Sequence, residues 1–422
     1  EDFATITAGG LGTVTVEGAG GEATGDRNDG VICYRPGSII TWGGGDVIVN
    51  GLGGGTGFSS YNYGVMLDNA GVITAGGMGD LQVNGIGGAT NGTRNVGVLV
   101  FLQNSSITSS GGNVTVTGTG GGILGNFQIG VNVKDGATIT AGGAGQVNVT
   151  GTGGITTGGA NHGVLVQESN ATITSSGGNV TVTGLGGGNV NSGLNIGVLV
   201  NSSGKITAGG NGDVHVTGNG GVLGVLNTGI LVTGTGSTIF SESGDIFVTA
   251  NGGGNSTTAS FGLEVSQAGK ITSTNSADIT IMANGGLSNA ASNQYGFYLE
   301  GPVSEVTSVD GVISITSNGG PNSTGFSPGI LMNLGDIKST GLGDVIIVAN
   351  GSTGTGNANQ GIFAVNAMIK SHDGDINLTA TGGGSLNAAQ NAGLFFDDGS
   401  SIVSDGIGNI LINANGGNSN GG

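Results

Sequence analysis

Aspartates recur at one position of a repeating pattern, and stacked carboxylates are a candidate site for a divalent cation. Each precedes a short alternating run of apolar and polar residues, at Asp46, Asp80, Asp213, Asp245, Asp278, Asp344 and Asp375. The longest consecutive set is Asp213, Asp245 and Asp278, whose hard oxygen atoms could hold Ca²⁺ between neighbouring copies. The alternative, which we favour, is that each side chain caps backbone amides at a turn. We expect no other cofactor.

Two further groups have residue types that polysaccharide-cleaving enzymes use, because such enzymes need clustered carboxylates with a neighbouring base or cation. They are His372 with Asp373 and Asp375, and the pair Asp397–Asp398. The repeat places them at different corners, and Arg occurs only at positions 27, 35 and 94. The three histidines lie in different copies, without the spacing of metal ligands. We therefore expect no catalytic or metal-binding residues and no enzymatic activity.

The elements that position these residues follow a period of about 33 residues across the whole chain. The period is marked by an anchor glycine that opens each copy. These anchors are Gly30, Gly64, Gly97, Gly130, Gly163, Gly197, Gly229, Gly262, Gly296, Gly329, Gly361 and Gly393. Because no linker interrupts them, the sequence predicts one continuous domain over 1–422, with a change of repeat subtype near 235–240.

Each copy contains three short alternating runs, which we name a, b and c. In one copy they are GVLV (163–166), ATITS (171–175) and NVTVTG (179–184). Period-two alternation with glycine-rich turns predicts strands, and no stretch has helical spacing. A single copy cannot bury its apolar face, but stacked copies can. The sequence predicts an all-β, single-chain parallel β-solenoid (β-helix) of about 12 coils of about 33 residues, with three short strands per coil. We expect right-handed winding from the general crossover preference.

A polar column lies two residues before the anchor glycines. Its asparagines are Asn28, Asn62, Asn95, Asn161, Asn195, Asn227, Asn359 and Asn391. Stacked side-chain amides can donate and accept hydrogen bonds from coil to coil. We interpret this column as a structural ladder.

The outward position of run a is mostly apolar, which predicts a stripe along the solenoid. Its members include Leu165, Leu199, Leu231, Tyr298, Leu331, Phe363 and Phe395. Exposed apolar stripes either bind a partner or are covered by the protein's own chain. We favour cover by the segment between runs c and a, such as 218–228, and keep lateral association with another chain as the alternative.

Composition limits the partners. The formal net charge is −18, with 8 Lys plus Arg against 26 Asp plus Glu, which excludes nucleic acid as a partner. No apolar run is long enough to span a bilayer, so we expect no membrane insertion. Cys33 is the single cysteine, which excludes an intrachain disulfide.

With these columns in place, the chain resembles the repeat regions of very large bacterial surface proteins. These are the filamentous-haemagglutinin-like and related "beta strand repeat" adhesin-type proteins, with units such as GVLVNSSGKITAGGNGDVHVTGNGG (197–221). The resemblance implies an extracellular location on the bacterial cell surface and a non-enzymatic structural or adhesive rod, a stalk or fibre-forming region.

Partners follow from the same interpretation. The expected partners are further copies, associating end to end or laterally, or neighbouring repeats of a longer chain. Surface glycans are a further candidate. The alternative function is a carbohydrate-binding or carbohydrate-active parallel β-helix.

Overall fold

A computed structural model describes residues 4–254, 258–287, 293–321, 324–384 and 389–417. Within these ranges the chain is all-β, without a helix. It divides into two compact units, Glu1–His215 and Val216–Gly422. The boundary falls inside strand β20, and the single continuous domain over 1–422 stays a prediction.

In the first unit, runs a, b and c each form a strand in every described copy. The a-strands are β3 Val31–Tyr34, β6 Val65–Asp68, β9 Val98–Phe101, β12 Val131–Lys134, β15 Val164–Gln167 and β18 Val198–Asn201. The b-strands are β1 Thr5–Ala8, β4 Ser38–Thr41, β7 Val72–Ala75, β10 Ser106–Ser109, β13 Thr138–Ala141, β16 Thr172–Ser175 and β19 Lys205–Ala208. The c-strands are β2 Val14–Ala19, β5 Val47–Leu52, β8 Leu81–Ile86, β11 Val114–Thr119, β14 Val147–Thr152, β17 Val180–Leu185 and β20 Val214–Asn219.

The second unit repeats the same order of strands. Its a-strands are β21 Ile230–Thr233, β24 Leu263–Ser266, β27 Phe297–Glu300, β30 Ile330–Asn333, β33 Ile362–Val365 and β36 Leu394–Asp397. Its b-strands are β22 Thr238–Ser241, β25 Lys270–Ser273, β28 Glu305–Ser308, β31 Asp336–Ser339, β34 Met368–Ser371 and β37 Ser401–Ser404. Its c-strands are β23 Ile246–Asn251, β26 Ile279–Asn284, β29 Ile313–Asn318, β32 Val345–Asn350, β35 Ile376–Thr381 and β38 Ile410–Asn415.

Within each unit, like strands pair in parallel and form three sheets, so that the a-strands lie in one sheet, the b-strands in a second and the c-strands in a third. The register places equivalent residues side by side, as in Val164 beside Val198. The predicted parallel β-solenoid, with about 12 coils of about 33 residues and three strands per coil, is therefore confirmed.

The core lies between the three sheets and is built from stacked aliphatic columns. In one coil Val164, Val166, Ile173, Val180 and Val182 are all 0% exposed. The alternating side chains on the other face of the b- and c-strands are half-buried or exposed. Burying β-branched side chains in continuous columns supplies the main favourable free energy of such a fold.

Candidate functional site

The acidic residues proposed as catalytic candidates lie on the surface of the second unit. Asp405, which the sequence did not single out, joins them. Its carboxylate lies 2.7 Å from His372 Nδ1 and 2.6 Å from Lys370 Nζ. The hydrogen bond to Asp405, followed by the charge of Asp373, raises the pKa of His372 above its usual range. This exposed cluster is an ion-pair network.

The other acidic candidates make local hydrogen bonds. Asp375 accepts the backbone N–H of Asn409 at 2.7 Å, and Asp397 accepts that of Asp398 at 2.9 Å. Neither contact brings these carboxylates to the His372 cluster.

The aspartate column before run c caps backbone amides between coils. Asp46 accepts the N–H of Asp80 at 2.9 Å, Asp245 that of Asp278 at 2.9 Å, and Asp344 that of Asp375 at 2.7 Å. Asp213 donates its own N–H to Asn179 Oδ1 at 2.9 Å. Among the described residues no group of three or more His, Cys, Asp or Glu side chains lies close enough to hold a metal ion. Of the Ca²⁺ candidates, Asp245 caps the N–H of Asp278 at 2.9 Å and Asp278 caps that of Val312 at 2.7 Å, and Asp213 lies in the same column.

The asparagine column forms a buried hydrogen-bonded ladder in each unit. In the first unit the side chain of each member accepts the backbone N–H of the member one coil earlier. The distances are 2.9 Å for Asn28 to Asn62, 3.1 Å for Asn62 to Asn95, 3.0 Å for Asn95 to Gln128, 3.0 Å for Gln128 to Asn161 and 3.2 Å for Asn161 to Asn195. In the second unit Asn359 accepts the N–H of Ser327 at 3.1 Å, and Asn391 that of Asn359 at 2.9 Å. Asn227 is fully buried in the same position.

The apolar stripe on the a-strands is partly covered. Leu165, Leu199 and Leu331 are buried, Leu231, Tyr298 and Phe363 are half-buried, and Phe395 is exposed. The cover comes from the residues just before each anchor glycine, such as Tyr63 and Ile129, which are themselves buried. Val222, in the middle of a c-to-a segment, is 72% exposed. Among the described residues, the cover thus comes from the ends of c-to-a segments such as these, while Val222 faces solvent.

This partial cover creates a groove in the first unit, with a volume of about 660 Å³. We call it the a-face groove. Its floor is formed by the outward side chains of a-strands, which are Met66, Leu99, Asn132, Leu165 and Leu199. One wall comes from the c-to-a segments and contains Arg27, Tyr61, Tyr63, Arg94, Val96, Phe127, Ile129 and His162. The opposite wall follows the ends of the a-strands and contains Asp68, Phe101, Lys134, Gln167 and Glu168.

A repeated backbone turn positions the first wall. Three residues before the anchor glycine, the backbone adopts a left-handed conformation, with φ of 64° at Arg27, 60° at Tyr61, 59° at Arg94 and 60° at Phe127. Non-glycine residues adopt this conformation only when the surrounding structure imposes it. Here each N–H is bonded to the next coil, as in Arg94 N to Asn126 O at 3.0 Å. The adjacent asparagine ladder holds the same turn in register.

Cations and aromatic rings alternate along this wall. The Arg94 guanidinium carbon lies 5.5 Å from the ring centroid of Tyr61 and 5.1 Å from that of Phe127. Its Nη1 donates to Tyr61 Oη at 2.9 Å. Across the groove, Lys134 Nζ lies 5.1 Å from the ring centroid of Phe101. Such cation–π contacts fix the rings and the cations in one orientation.

Buried polar atoms without partners line the same groove. Asp68 is 8% exposed and Asn132 is 7% exposed, and the Oδ1 atom of each accepts no hydrogen bond within the described chain. Burial raises the pKa of Asp68 above its usual range. An unsatisfied buried acceptor costs about 1–3 kcal/mol, so a donor that comes within hydrogen-bond distance of either atom recovers free energy of this order.

His162 adds a donor to the wall. Burial lowers the pKa of His162 to about 4, so its ring is neutral at pH 7. Its Nδ1 accepts the N–H of Ile196 at 3.3 Å, which leaves the proton on Nε2.

The second unit has an aromatic row in the equivalent position. Phe261 and Tyr295 are stacked at 4.8 Å between ring centroids, and Tyr298 contacts both edgewise at 5.4 and 5.6 Å. Glu264 lies on the neighbouring a-strand and accepts a hydrogen bond from Ser266 Oγ at 3.0 Å. Burial raises the pKa of Glu264 to about 7, against the effect of that hydrogen bond and with a further contribution from the charge of Glu300.

The remaining sequence features have structural positions. Cys33 is a buried free thiol whose pKa burial raises to about 12.

Sequence reasoning missed an outward amide ladder on the c-strands of the second unit, where Asn284 Nδ2 donates to Asn251 Oδ1 at 2.9 Å and Asn318 Nδ2 to Asn284 Oδ1 at 2.9 Å. The recurring Ala-Asn-Gly-Gly ending of run c was its only signal. The part of the chain that the structure describes holds no helix suited to crossing a bilayer.

Comparison with known proteins gives no match to a family model, to a curated protein or to a solved structure.

Proposed function

We propose that this chain is a non-enzymatic, structural and adhesive repeat region of a bacterial surface protein, which acts outside the cell and binds a glycan in the a-face groove. The proposal joins the resemblance of the repeats to adhesin-type sequences with the chemistry of the groove. Repetition supports it, because a solenoid presents the same surface positions in successive coils and suits an extended ligand.

The observation that carries the proposal is the chemical mixture in the groove. Its floor and walls combine apolar and aromatic surface with the unpartnered acceptors Asp68 Oδ1 and Asn132 Oδ1. A pyranose ring has apolar faces that pack on such surface and a rim of hydroxyl groups that donate to such acceptors. The groove thus offers complementary contacts to both parts of a sugar.

The substitution Asn132→Leu tests this proposal. Asn132 lies in register between Leu99 and Leu165, so leucine continues the column and the fold is expected to persist. We expect a weaker affinity for oligosaccharides by about tenfold, measured by titration calorimetry after a glycan-array screen, because the acceptor of a sugar hydroxyl is lost. The control is Asn148→Leu, the same change on the outward face of the c-strand in the same repeat.

Two results would count against glycan binding. One is the absence of any array signal above a scrambled or denatured protein. The other is an equal loss of affinity in both leucine variants, which would place the glycan elsewhere.

A carbohydrate-active enzyme is the second candidate, since His372 and Asp405 form a close acid–base pair. Incubation with acidic and neutral polysaccharides, followed by assay of reducing and unsaturated ends, separates the two candidates. We expect no product above background. Product formation that His372→Gln abolishes would favour the enzyme.

A further inference from the structure

The charge of the a-face groove differs from that of the whole chain. The formal net charge is −18, and only 8 residues are Lys or Arg. Three of them, Arg27, Arg94 and Lys134, line this groove. Two carboxylates, Asp68 and Glu168, also line it, so three cations against two anions leave a small positive formal charge, and an anionic ligand is repelled less here than by the rest of the surface.

The three cations are not equally available to a ligand. Lys134 Nζ is balanced by Asp135 at 3.2 Å and Glu168 at 3.3 Å. Arg27 lies 3.9 Å from the Asp29 carboxylate. For Arg94 the described chain provides two rings and a tyrosine hydroxyl but no carboxylate.

Arg94 is thus the cation best placed to receive an anion. Its guanidinium lies between the rings of Tyr61 and Phe127, which restricts its orientation. One nitrogen is engaged by Tyr61, and the other N–H groups of the fork can pair with a planar carboxylate. Charge-assisted pairs of this kind are about twice as strong as neutral hydrogen bonds.

The unpartnered acceptors impose a second requirement. Asp68 Oδ1 and Asn132 Oδ1 need hydrogen-bond donors, which a carboxylate cannot supply. The ligand must therefore carry hydroxyl donors and carboxylates along one chain, together with apolar faces for the floor.

This combination excludes other anionic polymers. A peptide cannot add as a strand over the groove, because the a-strands β6, β9, β12 and β15 already pair with one another. A nucleic-acid strand carries one charge per about 3.4 Å, a denser charge than one carboxylate per sugar ring, and is therefore repelled more strongly by the net charge of −18.

We infer that the a-face groove selects a uronic-acid-containing glycan, whose carboxylate pairs with Arg94 while its hydroxyl groups donate to Asp68 and Asn132. This inference rests on the proposed glycan-binding function and specifies its ligand.

The test compares a linear uronic-acid hexasaccharide with its carboxyl-reduced, neutral counterpart, by titration calorimetry at about 50 mM salt, where Coulombic attraction is only partly screened. We expect the uronate to bind about tenfold tighter or more. Arg94→Met, which keeps the bulk but removes the charge, should abolish that difference. Arg35→Met is the matched control, because Arg35 also contacts a ring but lies outside the groove lining.

Each outcome decides one point. Equal affinity for the uronate and its reduced counterpart would overturn the inference and leave glycan binding in place. Binding of a poly-glutamate peptide as tight as the uronate would overturn the glycan class. No binding of either sugar would contradict the proposed function itself. Retention of the uronate preference in Arg94→Met would remove Arg94 from the site.

Discussion

His162 is a buried ionisable residue and Glu264 a half-buried one, each at a position where other coils carry apolar side chains. The position of His162 is Ile129 and Ile196 in the adjacent coils, and that of Glu264 is Leu231 in the preceding coil. Burial shifts both pKa values toward the neutral form, downward for the base and upward for the acid. The two residues therefore contribute to pH-dependent stability with opposite signs.

Acidification should destabilise the first unit through His162. The pKa of His162 is about 4 in the folded chain and about 6.5 when unfolded, so the unfolded state binds more protons between these values. Its stabilising contribution is present above pH 6.5 and falls by up to about 3 kcal/mol as pH drops to 4. Hydrogen–deuterium exchange of β12 and β15 should accelerate accordingly. His162→Ile, which introduces the residue of the neighbouring coils, should remove the loss of stability at low pH. The same loss of stability in this variant would contradict the role of His162.

Glu264 should give the opposite trend in the second unit. Its pKa is about 7 folded against about 4.5 unfolded, so the folded state binds the extra proton. Stability is full below pH 4.5 and declines as pH rises to 7, by about 2 kcal/mol after allowance for partial exposure. Hydrogen–deuterium exchange of strand β24, measured between pH 4.5 and 8, checks this prediction. Glu264→Gln should remove this dependence of stability on pH. If the dependence persists in the glutamine variant, another ionisable group causes it.

At the scale of elements, the fifth residue of the c-strands distinguishes the two repeat subtypes. In the first unit it is glycine, as at Gly151, and in the second it is often alanine, as at Ala349. A Cβ at Gly151 would lie only 2.1 Å from the carbonyl oxygen of Gly163 and 2.8 Å from Val164 Cγ2. The close approach of c- and a-strands in the first unit thus requires glycine.

The substitution Gly151→Ala should therefore destabilise the first unit, by on the order of 3 kcal/mol, because backbone and core must both move. The measurement is guanidinium unfolding followed by circular dichroism. The matched control is Gly25→Ala, where nothing lies within 4 Å of the added Cβ, and a change below about 0.5 kcal/mol is expected. An equal change in the free energy of unfolding in the two variants would show that the c- and a-strands can move apart without loss of stability.

The strands could be predicted from sequence because each coil repeats the same alternation, and stacking then dictates the register. The pairing of Val164 with Val198, one repeat later, follows directly from this stacking. The groove could not be predicted in the same way. Arg94, Asn132 and His162 come from different coils, and their meeting depends on a left-handed turn at Arg94 that its residue type does not indicate. Asp405 differs from these residues, because it follows His372 by one repeat period of 33 residues, so the repeat itself carries the signal that places it beside His372.

At the scale of the whole molecule, we predict that charge controls the proposed association between copies. A net charge of −18 makes two chains repel, while the partly exposed aromatic row of the second unit favours contact. The expected lateral association should therefore increase with ionic strength as repulsion is screened.

Sedimentation velocity at about 20 mM and about 500 mM salt measures this association. We expect a larger weight-average mass at high salt. Phe395→Ser removes an exposed ring of the second unit that stacks on Phe363 at 5.2 Å between ring centroids, and should reduce the effect, whereas Phe58→Ser, which removes an exposed ring of the first unit, should not. Association that is stronger at low salt would indicate charge pairing between copies and contradict the apolar contact.

The left-handed turn before each anchor glycine has one further consequence. In the first unit it holds Arg27, Tyr61, Arg94, Phe127, Ala160 and Leu194 in nearly the same backbone conformation. Since the hydrogen bonds between coils impose that conformation, the side chain there is free to vary in size and charge. Evolution, or a protein engineer, can therefore exchange one displayed residue at a time and diversify recognition while the aliphatic interior stays untouched.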